Sequence, residues 1–372
     1  MVSFKPFSIH SFGFYLAACV LFWPPSTTGG LVVPKSYECP KSDLSQNITF
    51  YLYSSKIQDR FQLLPNNKSN LIQSGLNPGT GTKLITHGFN ESPGYCNSTS
   101  TIIKAFKNHT DFNLILIDWS DLSGTKATDY PLVVSCLKSG LAAYVGSFIK
   151  YLIGEGGVDK EKMHLIGHSL GAHLLGIATH QLDFKIPRIT ALDPAGPFFD
   201  HVAPKADKLD KDDALIVDVI HTNSLILGSE GPDGTFDFYA NGGTAQPNCS
   251  VHKVAGQNVA VDSWSVFTSV VGSILHNALV SAVTTGGCDH ARSYQIFAKS
   301  INPSNKFLCS QCNTVQQARN QKCEGKMGYA GYYLNKTEPG VYYLNTDPYR
   351  FPNLDIKVES FLPSTIGRYS PS

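Results

Sequence analysis

Gly167-His168-Ser169-Leu170-Gly171 joins a short apolar run, Met163 to Ile166, to a helix-like stretch, Ala172 to Leu182. A serine hydroxyl is a weak nucleophile until a base takes its proton, and a sharp strand-to-helix turn presents it to one. The flanking glycines permit that turn. In a chain with 32 glycines the pentapeptide alone is a weak signal. Its setting between a strand-like and a helix-like run is what points to acyl transfer through a serine ester.

Such a serine needs a base, and the base needs an orienting carboxylate that stabilises the imidazolium. Twelve histidines and 29 acidic residues leave many combinations, but hydrolases with this presentation run Ser, then Asp or Glu, then His along the chain. Asp193, in Leu192-Asp193-Pro194-Ala195-Gly196-Pro197, leads for the acid. It directly follows an apolar run and prolines stiffen its loop; the competing reading is an ordinary turn aspartate. For the base, His290 lies on a loop, Gly286 to Ser293, before a helix-like run and beside Cys288. His221, His252 and His276 remain alternatives on position alone.

The elements that must hold these groups are legible as short runs rich in Ile, Leu and Val. They are Lys83 to Thr86, Leu114 to Asp118, Met163 to Ile166, Arg188 to Leu192 and Ala214 to Ile220. Unbroken apolar runs are what buried parallel strands look like. Leu141 to Ile153 has helical spacing and stops at Gly154-Glu155-Gly156-Gly157. The alternation predicts an α/β architecture, a mostly parallel sheet with helices on both faces. Catalytic groups belong at the carboxyl ends of such strands, where His87-Gly88-Phe89, Ser169 and Asp193 all fall. Tyr329 to Asn335 and Val341 to Asn345, separated by Lys336 to Gly340, predict a hairpin.

The first 29 residues read as a signal peptide: Lys5 and His10, an apolar run from Phe12 to Trp23, then Pro24 to Gly29. About 12 apolar residues fall short of the roughly 20 that a membrane helix needs. The longest later candidate, Val261 to Val283, is interrupted by Asp262 and His276, so no transmembrane segment is expected. Removing 1–29 takes Cys19 and leaves eight cysteines, an even count that fits disulfides in an extracellular protein. Cys309 and Cys312 are expected to be disulfide partners, since no second C-x-x-C completes a zinc site. Sequons at Asn47, Asn67, Asn90, Asn97, Asn108, Asn248 and Asn335 agree with secretion. A net charge of +1 with no basic block speaks against nucleic acid as a partner. No linker or repeat divides residues 30–372, which are expected to form one domain.

Five motifs occur together in order: Gly167 to His173, Leu192 to Ala195, Asp218-Val219-Ile220-His221-Thr222, Asp237-Phe238-Tyr239 with Asn241-Gly242-Gly243, and Cys288 to Ser293. Over about Lys83 to Ser300 the chain resembles the pancreatic lipase-like family, which includes triacylglycerol lipases and phospholipases A1. The resemblance implies an α/β-hydrolase fold with nucleophile Ser169, acid Asp193 and base His290. The backbone N–H groups of Phe89 and Leu170 would form the oxyanion hole, with His87 structural. A glycan on Asn90 would crowd this site, so that sequon is expected to be unused.

The resemblance also implies a lid-like insertion, residues 249–288, closed by a Cys249–Cys288 disulfide. Its apolar stripe from Trp264 to Ala282 suits a lipid–water interface. A lid of this length points to triglycerides, whereas the short segment from His221 to Asp237 points to phospholipids. Asp210 and Asp213 match acidic positions at which some family members bind calcium, but Lys205 stands where those have a glutamate, so neither metal nor cofactor is expected. The chain leaves no room for the β-sandwich of pancreatic lipases, so no colipase is expected. The alternative function is a non-catalytic lipid-binding or storage protein on the same fold.

Overall fold

The computed structural model describes residues 39–40, 43–53, 60–92, 97–109, 112–126, 129–249, 287–335, 338–347, 349 and 351. The signal segment 1–29 and the interior of the insertion, 250–286, lie outside the described residues.

Among the described residues eleven strands share one sheet: β1 (Thr49–Tyr53), β2 (Phe61–Leu63), β3 (Thr82–Thr86), β4 (Asn113–Asp118), β5 (Met163–His168), β6 (Ile186–Leu192), β7 (Ala214–His221), β8 (Phe236–Ala240), β9 (Phe307–Cys312), β10 (Met327–Ala330) and β11 (Gly340–Leu344). Their spatial order is β10-β9-β11-β8-β7-β6-β5-β3-β4-β1-β2. From β4 through β11 the central neighbours are parallel; β1, β2, β9 and β10 add antiparallel edges. All five apolar runs became central strands.

Each central strand feeds two cores. Leu84 and Leu165 face one layer with helices Tyr130–Gly154 and Leu170–Thr179, while Ile85 and Ile166 face the other with helix Asn97–His109 and the helical residues 287–300. Alternation along a strand makes this division, and burial on both faces explains why no polar rhythm interrupts the runs. The result is the α/β-hydrolase architecture.

Three sequence expectations need correction. The helix expected from Leu141 starts at Tyr130 with Pro131 in its first turn, where proline's missing N–H costs nothing, and passes through a π-helical turn at Leu137–Leu141. At 25 residues it is long and apolar enough to cross a bilayer, which the reading of Val261 to Val283 as the longest apolar candidate missed. Val133, Leu137, Val145, Phe148, Ile149 and Leu152 along it are instead buried in the core.

The hairpin expected between Tyr329 and Asn345 does not form. β10 pairs with β9, and β11 inserts between β9 and β8, parallel to β8. Turn chemistry in the sequence between the two runs does not choose a strand's partner.

Cys309 is not a disulfide partner either. Cys312 bonds Cys323, Cys39 bonds Cys136, and Cys249 bonds Cys288, whereas Cys309 is a buried free thiol. Three residues apart on a strand, Cys309 and Cys312 face opposite sides. Burial pushes the Cys309 thiol up to about 12, which leaves it protonated and inert.

Candidate active site

Ser169 occupies the single residue between β5 and helix Leu170–Thr179, with φ +55° and ψ −123°. A non-glycine residue is rarely held there unless its surroundings enforce it. Its N–H is tied to the Leu192 carbonyl on β6 at 3.1 Å. The helix also approaches the end of β3 so closely that a side chain at Gly171 would collide with the His87 carbonyl. The turn therefore aims the serine out of the carboxyl end of the sheet.

Asp193 leaves β6 with φ +48° and donates its N–H to Ile220 of β7 at 2.9 Å. Its fully buried carboxylate accepts the Thr222 and Asn223 N–H groups at 2.7 and 3.1 Å through Oδ1. Oδ2 takes a hydrogen bond from Nδ1 of His290 at 2.6 Å. Three donors satisfy a charge that burial would otherwise make costly.

His290 itself lies within the helical residues 287–300, not on a loop before them. The helix is already under way at residue 287, directly before Cys288. The His290 ring packs 4.6 Å from that of His168, the residue immediately before Ser169. Burial, above all, and the neighbouring His168 hold His290 below the ordinary histidine range, although Asp193 pulls the other way. At neutral pH the ring is therefore uncharged, with its proton on Nδ1 facing Asp193 and a lone pair on Nε2. Of the alternative bases, His221 is buried and committed to Asp237 at 2.9 Å and to stacking on Tyr239. His252 and His276 lie outside the described residues.

The His87-Gly88-Phe89 loop leaves β3 beside the serine. A methyl group at position 88 would stand 2.7 Å from the Ser169 Cβ and 3.2 Å from its Oγ, so only glycine fits this approach. Buried His87 is spent holding the loop: its Nε2 accepts the Trp119 N–H at 3.2 Å, which places its proton on Nδ1, 3.0 Å from the Gly88 carbonyl. Trp119 returns its indole N–H to the His87 carbonyl at 3.2 Å. Leu170 opens the helix, where backbone N–H groups have no intrahelical acceptor.

Sequence reasoning missed Glu91. Its Oε2 accepts the Gly88 N–H at 3.1 Å and the Ser98 hydroxyl at 2.6 Å, and its Oε1 lies 3.0 Å from His168 Nδ1. It is the middle residue of the Asn90 sequon. An acidic residue two positions beyond Phe89 was the one available signal.

His173, one turn into the helix that follows Ser169, donates Nε2–H to the Ala195 carbonyl at 2.8 Å and accepts the Leu209 N–H on Nδ1 at 3.1 Å. Its ring stacks on Phe199 at 3.7 Å. One imidazole thus fastens the helix that starts at Ser169 to the loop that starts at Asp193.

A family profile described as Lipase matches residues 25–349. The chain belongs to the lipase family. It is 30% identical to mouse pancreatic triacylglycerol lipase over 82% of its own length and 65% of the relative's. Against the rabbit pancreatic triacylglycerol lipase the identity is 31%, over 86% and 67%; against human lipoprotein lipase it is 30%, over 81% and 62%. The chain spans about two thirds of the length of the curated relatives it matches.

In this lipase-family chain the residues around 205–213 do not fit a calcium ion. The Lys205 ammonium sits 3.1 Å from Asp210. Asp213 is taken by His180 at 2.7 Å and by the Asp210 N–H at 2.8 Å. Calcium needs six or more oxygen ligands, and here an ammonium already neutralises the Asp210 carboxylate.

Proposed function

We propose that this protein is a secreted hydrolase of glycerolipid carboxylic esters in which Ser169 is the nucleophile, His290 the base and Asp193 its orienting carboxylate. The observation that carries the reading is the 2.6 Å bond from His290 to Asp193, with the His290 ring tilted against His168 in the strained turn that presents Ser169. In this reading Ser169 Oγ attacks the ester carbonyl while its proton passes to His290 Nε2. The tetrahedral oxyanion accepts the N–H groups of Phe89 and Leu170, donors of a kind whose loss costs roughly 3 kcal/mol. His290 then protonates the departing glycerol oxygen, leaving an acyl-enzyme, and finally takes a proton from the water that releases the fatty acid.

The reading includes removal of residues 1–29 and a single domain over 30–372, with residues 249–288 as a flap tied by Cys249–Cys288. The names of the relatives favour triacylglycerols; the shortness of the His221 to Asp237 segment favours phospholipids. Fatty-acid release by the purified protein from triolein emulsion and from phosphatidylcholine with distinguishable acyl chains decides between them. Release from phosphatidylcholine alone, at the sn-1 position, assigns a phospholipase A1. Ser169→Ala is expected to abolish release from both while the variant stays folded, and an organophosphate should label the native protein once, at Ser169. A well-folded protein that takes no label would instead be a lipid-binding member of the family.

A further inference from the structure

At the amino-terminal edge of the parallel sheet, three basic residues stand side by side. Lys83 on β3 is in register with His164 on β5, and His164 with Arg188 on β6, so all three project from the same face. They line a cavity of about 560 Å³ whose other walls include Tyr332, Tyr333 and Leu334. β5 runs from this cavity at Met163 to His168 at the serine turn. The cavity therefore lies at the opposite end of the sheet from Ser169.

The charges in this row do not balance. Arg188 is fully committed: Nε and Nη2 grip the Asp218 carboxylate at 2.7 and 2.9 Å, and its remaining hydrogen bonds go to the carbonyls of Gly331 and Tyr332. His164 bonds Thr190 at 2.7 Å, and burial together with its two cationic neighbours keeps it neutral. Lys162 is exposed and lies 3.4 Å from Asp159. Lys83 is only 8% exposed, and among the described residues no carboxylate lies within ion-pairing distance of it. Its ammonium rests over the Phe112 ring at 4.5 Å, with Tyr332 at 5.6 Å. Ring faces compensate a cation much less than a carboxylate does, and a buried charge without a partner is costly.

We propose that this cavity binds an organic monoanion, a carboxylate carrying an aromatic or alkyl body, with Lys83 as the cation that receives it. The site is open to solvent on one side, and it combines an apolar wall with a few placed polar groups, as ligand sites do. Tyr332, Tyr333 and Leu334 supply the wall for the body, and the Lys83 ammonium supplies the charge. Burial, then the Arg188 charge, lowers Lys83 to about 8; a bound carboxylate would oppose that shift. The other ionisable groups facing the site are His164, Lys162, Glu161, Tyr332 and Tyr333.

The test uses the full-length protein with 3-phenylpropionate and its uncharged amide as probes, read by calorimetry and by lysine acetylation mapped with mass spectrometry. The acid should bind and protect Lys83 from acetylation, with the amide weaker by about tenfold or more. Lys83→Met should lose the acid and Lys83→Arg keep it, with ester hydrolysis unchanged in both. Equal binding of acid and amide, undiminished binding by Lys83→Met, or no protection of Lys83 would overturn the proposal. If Lys83→Met fails to fold, protection in the unmodified protein decides alone.

Discussion

Glu91 and His168 are 77 residues apart in the chain and 3.0 Å apart in the fold, Oε1 to Nδ1. With its other oxygen on the Gly88 N–H, one carboxylate ties the loop beside the serine to the turn that carries it. Glu91→Gln keeps an acceptor for one of these groups but not for both. Its kcat on a soluble nitrophenyl ester should fall about 10- to 100-fold, the scale expected when a loop that positions donors loosens. KM should stay within about twofold, because the substrate's acyl contacts are untouched. Steady-state kinetics check this, and an unchanged kcat in a less stable variant would reduce Glu91 to a folding role.

The acid limb of the pH–rate profile should report His290. Turnover requires its neutral form, so the rate rises as the proton leaves. Burial and His168 hold it below 6.5, which places the midpoint of that limb in kcat/KM below 6.5. His168→Gln removes one of the two lowering influences and should move the midpoint upward. Asp193→Asn should instead cut kcat about 10⁴-fold by favouring the wrong tautomer. A limb at or above 6.5 in the unmodified protein would contradict the assignment of His290.

His173 predicts how stability responds to acid. It must be neutral to accept the Leu209 N–H, and burial lowers it from 6.5 to about 4. Between those values the unfolded chain binds a proton that the folded chain refuses, so stability falls as pH drops from 6.5 toward 4. For one such group the total loss approaches about 3 kcal/mol. His164 acts in the same direction. Urea midpoints at pH 7 and pH 5 should therefore converge partly, not wholly, in His173→Gln. An unaltered pH dependence in that variant would count against the neutral, doubly bonded imidazole.

Much of this was readable in the sequence for one reason. Central parallel strands are buried on both faces, so Leu84-Ile85 and Leu165-Ile166 carry unbroken apolar signals, and the groups that follow them inherit a known end of the sheet. Ser169, Asp193 and His290 each stand at such a boundary or in a motif of fixed spacing. What stayed hidden depends on partners distant in sequence. Nothing near Tyr342 says that β11 slips between β8 and β9, because local turn chemistry reports a bend and not a neighbour. Glu91 is likewise unremarkable until folding brings it to His168. Cys309 misled because an even cysteine count ignores which side of a strand each one faces.

The 97-residue separation of Asp193 and His290 also sets a timetable. A ribosome delivers the serine turn and its aspartate long before the histidine, and β11, which completes the sheet beside β8, later still. Domains generally fold as units. The serine turn therefore waits at least 121 residues, from Ser169 to His290, for the imidazole that packs beside it, and longer still for the strand that completes the sheet beside β8.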